Sequence, residues 1–146
     1  MVERAAPTRQ VLGWREWLAL PDLGIHAIRA KLDTGARTSA LHAFKITPFT
    51  KDGAAYVRFA VHPLQRRRKP EVMCVALVID YRAVTDSGGR REERYVIRTN
   101  IKLGRSQWPV EFTLANRDQM GFRMLIGRQA LRRRYMVDPS RSFVAG

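Results

Sequence analysis

Apolar and polar residues alternate with a period of two through four stretches of the chain. His26, Ile28, Ala30 and Leu32 are interleaved with Arg29 and Lys31. Ala55, Val57, Phe59 and Val61 alternate with Tyr56, Arg58 and His62. Tyr95, Ile97, Thr99, Ile101 and Leu103 alternate with Arg98, Asn100 and Lys102, and Trp108, Val110, Phe112 and Leu114 with Glu111 and Thr113. A period of two sends successive side chains to opposite faces of a strand, so each stretch predicts a β-strand with one face toward a core. The run from Val72 to Ile79 is apolar without interruption, which predicts a strand covered on both faces.

Turn residues punctuate these runs: Pro21-Asp22-Leu23-Gly24, Lys51-Asp52-Gly53, Ser87-Gly88-Gly89 and Leu103-Gly104-Arg105. The segment from His62 to Glu71 sets four consecutive basic residues, Arg66 to Lys69, between two prolines and reads as an exposed loop. One short helix is predicted, from about Arg128 to Tyr135, with Ala130, Leu131 and Tyr135 on one side. There is no internal repeat and no domain boundary. Short strands with little helix predict an all-β barrel or sandwich, a single domain over 1–146 with residues 1–10 flexible.

Composition narrows this further. A chain of 146 residues with 45% apolar content can bury a core without disulfides or metals. The single cysteine, Cys74, excludes an internal disulfide and any multi-cysteine zinc site, and its apolar surroundings predict a small buried side chain. No apolar signal core opens the sequence and no run approaches membrane-spanning length, so the expected compartment is the cytoplasm. The formal net charge is +14, and 22 of the 27 basic residues are arginine. That balance favours polyanionic partners, and arginine suits fork-like pairing with carboxylate or phosphate.

Several chemistries have no visible site. There is no phosphate-binding loop ending in Gly-Lys-Ser/Thr, no His-Glu-x-x-His zinc motif, no nucleophile elbow, no zinc finger and no RNA-recognition aromatic motif. His26, His42 and His62 lie on separate segments; only His42 and His62 with a carboxylate would offer a metal site. No metal and no cofactor are expected.

The segment Lys31 to Ala43, KLDTGARTSALHA, carries definite chemistry. At the end of an apolar-alternating strand, Asp33-Thr34-Gly35 forms a tight turn in which glycine lets backbone N–H groups approach the carboxylate. The Thr34 hydroxyl can lock a neighbouring copy of the same loop. Two such loops face to face hold two carboxylates that cannot both stay ionised, so the pair shares a proton. One member then activates a water while the other polarises a carbonyl. Far downstream, Met124-Leu125-Ile126-Gly127-Arg128 supplies two apolar residues and a glycine ahead of the short helix.

These features together resemble the bacterial retropepsin-like proteins that carry the name ATP-dependent zinc protease, often associated with ATP-grasp glutamate ligases that modify a ribosomal protein. The resemblance rests on Gly13-Trp14-Arg15-Glu16, Leu20-Pro21, KLDTGARTSALHA, Val96-Ile97-Arg98-Thr99, the stretch from Asn116 to Met120, the stretch from Met124 to Leu131, and Val137-Asp138-Pro139. It spans about Val11 to Pro139. Neither an ATP site nor a zinc motif supports that name here. The resemblance implies a homodimeric retropepsin-like acid-protease β-barrel with its active site on the two-fold axis. Its catalytic residues would be Asp33, Thr34 and Gly35, and its substrate-binding residues Ala36, Arg37, Ser87, Gly88, Gly89 and Arg128.

A second aspartate in the same chain is offered by Asp86-Ser87-Gly88, but this triplet does not end an apolar strand and no second apolar-apolar-Gly element accompanies it. Its position matches the glycine-rich hairpin that covers substrate in retropepsins, so the second carboxylate is expected from Asp33 of another copy. One departure stands out. Retroviral proteases usually place an aspartate four residues beyond the catalytic one, paired with the Gly-Arg arginine; Arg37 stands there instead. Arg128 would then turn to Asp118, Glu111 or Asp138, and Arg37 to acidic side chains or a terminal carboxylate of substrate. The leading reading is an aspartic endopeptidase acting on acidic, glutamate-rich peptides. The alternative is a non-catalytic barrel that binds an ATP-grasp ligase or a ribosomal protein. A basic nucleic-acid-binding barrel ranks third.

Overall fold

The computed structural model describes residues 9–64, 69–85, 88–116 and 121–145. In chain order it contains β1 (Gln10–Gly13), β2 (Arg15–Leu20), a 3-10 turn (Pro21–Leu23), β3 (Ile25–Asp33), β4 (Ser39–His42), β5 (Phe44–Lys51) and β6 (Ala54–Val61). These are followed by β7 (Val72–Thr85), β8 (Arg91–Leu103), β9 (Ser106–Ala115), β10 (Met124–Gly127), α1 (Arg128–Leu131) and β11 (Tyr135–Asp138). Nine strands form one sheet in the order β2-β3-β10-β4-β9-β8-β7-β6-β5. β2 also meets β8 at Ala19 and Lys102, which closes six strands into a barrel. The expected all-β barrel with one short helix is therefore the observed fold. β7, β6 and β5 continue the sheet beyond the barrel, and β1 pairs in parallel with β11 in a separate ribbon.

The alternating runs behave as their period predicts except at the starts of β3 and β6, where His26 and Ala55 of the expected inward rows are exposed. Ile28, Ala30 and Leu32 of β3, Ile97, Ile101 and Leu103 of β8, and Val110, Phe112 and Leu114 of β9 are all buried in one core. Val57, Phe59 and Val61 of β6 join it. Burial of each such aliphatic or aromatic side chain contributes about 1.5–3 kcal/mol.

β7 departs from expectation. Its apolar run was expected to be covered on both faces, yet Met73, Val75, Leu77, Ile79 and Tyr81 are 39–52% exposed. Only the other row packs inward, with Cys74 buried. The reason is topological: β7 has left the closed barrel, and no described element lies over its outer face. On the inner side the Cys74 Sγ lies 3.7 Å from the Leu23 and Val72 carbonyl oxygens, and burial pushes its thiol up to about 11.

The helix is also shorter than expected, ending at Leu131 rather than Tyr135. The Arg132 N–H closes one turn on the Arg128 carbonyl, Arg132 then leaves helical space, and Arg133 adopts φ 69°. Tyr135 pairs with Gln10 instead, so strand pairing with the start of the chain overrides local helix propensity. Gln10 thus belongs to β1; residues 1–8, the rest of the segment expected to be flexible bar Arg9, lie outside the described residues.

The C-terminal segment folds back over β1 and β2. Trp14 donates to the Arg141 carbonyl and Phe143 to the Arg15 carbonyl. The buried Glu16 carboxylate accepts the Gly13, Val144 and Ala145 N–H groups at 2.7, 2.9 and 3.0 Å. No helix among the described residues is long and apolar enough to cross a membrane.

Candidate active site

Asp33 is the last residue of β3, and the chain turns at Thr34-Gly35 before re-entering the sheet as β4. That turn opens a gap between β3 and β4, which β10 fills. It runs parallel to β3, with Ile126 opposite Leu32 and Gly127 opposite Asp33, and antiparallel to β4, with Met124 opposite Leu41. Met124, Ile126, Leu32 and Leu41 are buried beneath the loop, so the apolar-apolar-Gly stretch lies under the Asp33 turn.

The loop is held at several points. The Gly35 N–H donates to Asp33 Oδ1 at 2.9 Å, and the Ala36 N–H to the Asp33 carbonyl at 3.2 Å. From the other side, the Arg128 and Gln129 N–H groups donate to the Ala36 and Arg37 carbonyls at 2.8 and 3.2 Å. The Gly127 N–H donates to Ser39 Oγ at 3.0 Å. Glycine is required at 127, because a Cβ there would stand 2.5 Å from the Thr38 carbonyl oxygen and 2.9 Å from that of Ala36. Asp33 is half-buried, while Thr34, Gly35 and Arg37 are exposed and Ala36 is half-buried. The Asp33 carboxylate thus sits at the surface on a loop fixed from beneath, as a group that meets a second molecule must.

Arg128 was expected to pair with Asp118, Glu111 or Asp138. Its guanidinium instead donates from Nη1 to the Gly35 carbonyl at 3.2 Å. Glu111 is held by Arg98 and Arg82, and Asp138 accepts from the Ser140 hydroxyl and N–H, which hold its carboxyl below the usual range; Asp118 lies outside the described residues. Once Arg37 replaces the carboxylate expected four residues after Asp33, the nearest acceptor for Arg128 is the loop's own backbone.

Arg37 and Arg128 come together with Gln129 and Arg132 around a recess of about 200 Å³ beside the Asp33 loop. Among the described residues no carboxylate lines it. Gln129 also borders a larger recess of about 470 Å³ with Arg98, Trp108, Glu111 and Arg134. Gln129 and Arg132 were not singled out from the sequence; the only signal was the basic run Arg132 to Arg134 after the helix. The expected covering hairpin is the β7–β8 connection, where Gly88 and Gly89 are described and exposed or at a turn; Ser87 and Asp86 lie outside the described residues, as do Arg66 to Arg68.

His42 is buried, and the Phe44 ring centroid stands 6.3 Å from that of His42 and 4.3 Å from that of His62. Among the described residues no group of three or more His, Cys, Asp or Glu side chains is arranged to hold a metal ion.

The model of the RimB-like family, described as the retropepsin-like aspartic endopeptidase RimB, matches residues 11–146. A Shewanella pealeana protein named probable alpha-L-glutamate ligase is 48% identical over 136 residues, which is 93% of this chain and 30% of the relative. A Desulfotalea psychrophila protein of the same name is 48% identical over 90% of this chain and 28% of its own length. The chain therefore spans less than a third of the length of these curated relatives. A crystal structure of a Legionella pneumophila protein of unknown function is similar with a TM-score of 0.81 at 28% identity, covering 95% of this chain and all of that one.

Proposed function

The chain belongs to the RimB-like family of retropepsin-like aspartic endopeptidases, and from that premise we propose that it is an aspartic peptidase whose active site forms from two Asp33 carboxylates, one from each of two copies. The observation that carries this reading is the Asp33 loop itself: one surface carboxylate per protomer, oriented by the Gly35 N–H and pinned from beneath by β10 and α1. Two such carboxylates within hydrogen-bond reach share one proton. The ionised member takes a proton from a water, the water oxygen attacks the scissile carbonyl, and the protonated member donates to the developing oxyanion. The proton then passes to the leaving amine as the C–N bond breaks.

Acidic peptides are the proposed substrates. The recess formed by Arg37, Arg128 and Arg132 supports this, since three guanidiniums, with no carboxylate among the described lining residues, offer planar donors to an incoming carboxylate. Each contact contributes up to about 1 kcal/mol while solvated, and about 1.5–3 kcal/mol where the bound peptide excludes water. The test is a paired series of Glu and Gln peptides on the unmodified protein, Asp33→Asn and Arg37→Ala. Asp33→Asn should bind the Glu peptides and cleave none. Arg37→Ala should cleave with most of the Glu-over-Gln preference gone. Unaltered hydrolysis by Asp33→Asn would overturn the mechanism, and an unaltered preference in Arg37→Ala would overturn the specificity.

A second reading has its own observation. The relatives in which this domain makes up about 30% of a longer chain are named glutamate ligases, and the outer row of β7 is apolar and open. On that reading the barrel is a docking module for an ATP-grasp ligase or a ribosomal protein. Partner binding that survives Asp33→Asn, with no hydrolysis by either form, would favour it.

A further inference from the structure

The end of the barrel opposite the Asp33 loop carries a recess of about 480 Å³ whose lining includes Trp17, Pro21, Ile25, His26, Lys102 and Gly104. Its size is that of a small-molecule site. Ile25 and Asp33 occupy the two ends of the nine-residue β3, roughly 26 Å apart at about 3.3 Å per residue, so the recess is separate from the candidate active site.

Trp17 is 39% exposed yet firmly braced. Its ring stacks on Phe143 at 6.1 Å and 25°. Phe143 in turn takes the Arg15 guanidinium at 5.1 Å, and that guanidinium also lies 4.8 Å from the Trp14 ring. Trp14 meets Phe122 edge-on at 5.7 Å, and Arg29 lies over Phe122 at 5.2 Å. Trp17 is thus the terminal member of a continuous ladder of rings and guanidiniums, and its uncovered surface lines the recess. A ring held this way loses little side-chain entropy when a ligand stacks on it.

The rest of the lining divides into an apolar floor and a polar rim of hydrogen-bond donors, one of them the Lys102 ammonium. Ile25 and Leu18 are buried, at 1% and 4% exposure, while His26 and Lys102 are exposed. Lys102 stands beside β2 because Ala19 and Lys102 are the residues that close the barrel. Neither Lys102 nor His26 has a carboxylate partner among the described residues. Asp22, next to Pro21, is engaged by the Asn100 side-chain amide at 3.0 Å. An apolar ligand would leave Lys102 and the His26 ring nitrogens without a role, and a bare anion would leave the indole without one. A planar aromatic ring carrying a negative group uses both.

We propose that this recess binds a nucleotide unit, with the base stacked on Trp17 and the phosphate held by Lys102 and His26. Base–indole stacking beside cationic side chains is the general chemistry of sequence-tolerant nucleotide recognition, and a net charge of +14 draws such ligands to the surface. The nucleotide is either free or part of a single strand.

The experiment is calorimetric titration of the full chain at fixed salt with AMP, UMP, ribose 5-phosphate and a twelve-nucleotide oligouridylate, repeated on Trp17→Ala, Trp17→Phe and Lys102→Ala. AMP and UMP should bind at least tenfold more tightly than ribose 5-phosphate. Trp17→Ala should weaken AMP by about 5- to 100-fold, as expected for loss of one stacked base, while Trp17→Phe retains most of the affinity. Lys102→Ala, an exposed change that leaves the core untouched, should weaken every phosphate ligand and lower the salt dependence of oligouridylate binding by about one phosphate contact. An oligouridylate bound tenfold or more tightly than UMP identifies a single strand as the source, and equal affinity identifies the free nucleotide. Equal binding of AMP and ribose 5-phosphate, or affinities unchanged in both a folded Trp17→Ala and Lys102→Ala, overturns the proposal.

Discussion

A methyl group at position 127 would press on the Thr38 carbonyl oxygen at 2.5 Å, with the Ala36 carbonyl also inside contact distance. Both acceptors belong to the backbone of the loop that presents Asp33, so neither can swing aside as a side-chain end would. Gly127→Ala should destabilise the fold by about 1–3 kcal/mol, the range for overpacking a filled site, and displace the loop enough to abolish peptide hydrolysis. Urea denaturation checks the first part; unchanged stability would mean that the β10–loop contact yields freely. Cys74 makes a different prediction. Burial raises its pKa to about 11, so at pH 8 the native thiol should react with alkylating reagents only as fast as β7 opens. Because the unfolded chain gives up this proton first, the thiol's contribution to stability is complete below the ordinary thiol range and fades as pH rises toward 11. Cys74→Ala should flatten that alkaline loss in a denaturation series; prompt labelling at pH 8 would contradict the burial argument.

β7 shows what a strand's two rows mean once it leaves a closed barrel. The β6 and β7 side chains that point inward reach Phe59, fully buried, and Cys74, while Val75 and Leu77 on the outer row are half open. Phe59→Ala should therefore cost about 3–5 kcal/mol, whereas Leu77→Thr should stay within about 0.5 kcal/mol in the isolated protein. A large loss for Leu77→Thr in thermal melts would place a covering element on that face. The same strand marks the limit of what periodicity reveals. An uninterrupted apolar run states that neither row is polar, not that both are covered. β3, β6, β8 and β9 were legible because each buries one row and wets the other. β10 was not legible as a strand: four residues are too few for a period, and its partners, β3 and β4, lie far back in the chain. β11 hid behind a helical spacing, because its partner is the distant β1. In the site, Asp33 and Gly127 were readable since each carries a geometric demand in its residue type. The partner of Arg128 was not, because a backbone carbonyl leaves no trace in sequence, and Gln129 and Arg132 enter only through the turn that ends α1.

At the scale of the whole molecule, the barrel offers one fixed loop bearing one aspartate, and a water-activating pair needs two. The proposed two-fold arrangement would supply the second from an identical surface, so the same patch would meet itself and no open-ended assembly would follow. On the proposed reading activity is a property of pairs, which dilution and mixing can test. Asp33→Asn keeps the Gly35 N–H acceptor in amide form and changes no volume, so the variant should fold and exchange subunits with the unmodified protein. If a pair with one aspartate is inactive, an equimolar mixture allowed to exchange should retain about one quarter of the activity of an equal total concentration of protein that is all unmodified, because only pairs with two aspartates turn over. A self-sufficient protomer would retain about one half under the same comparison. The mixture must be assayed well above the concentration at which activity per protomer stops rising, since a weak pair would otherwise mimic a loss. A retained activity of one half at saturation would place the whole catalytic apparatus inside one chain, where Asp86 on the β7–β8 connection would become the residue to substitute next.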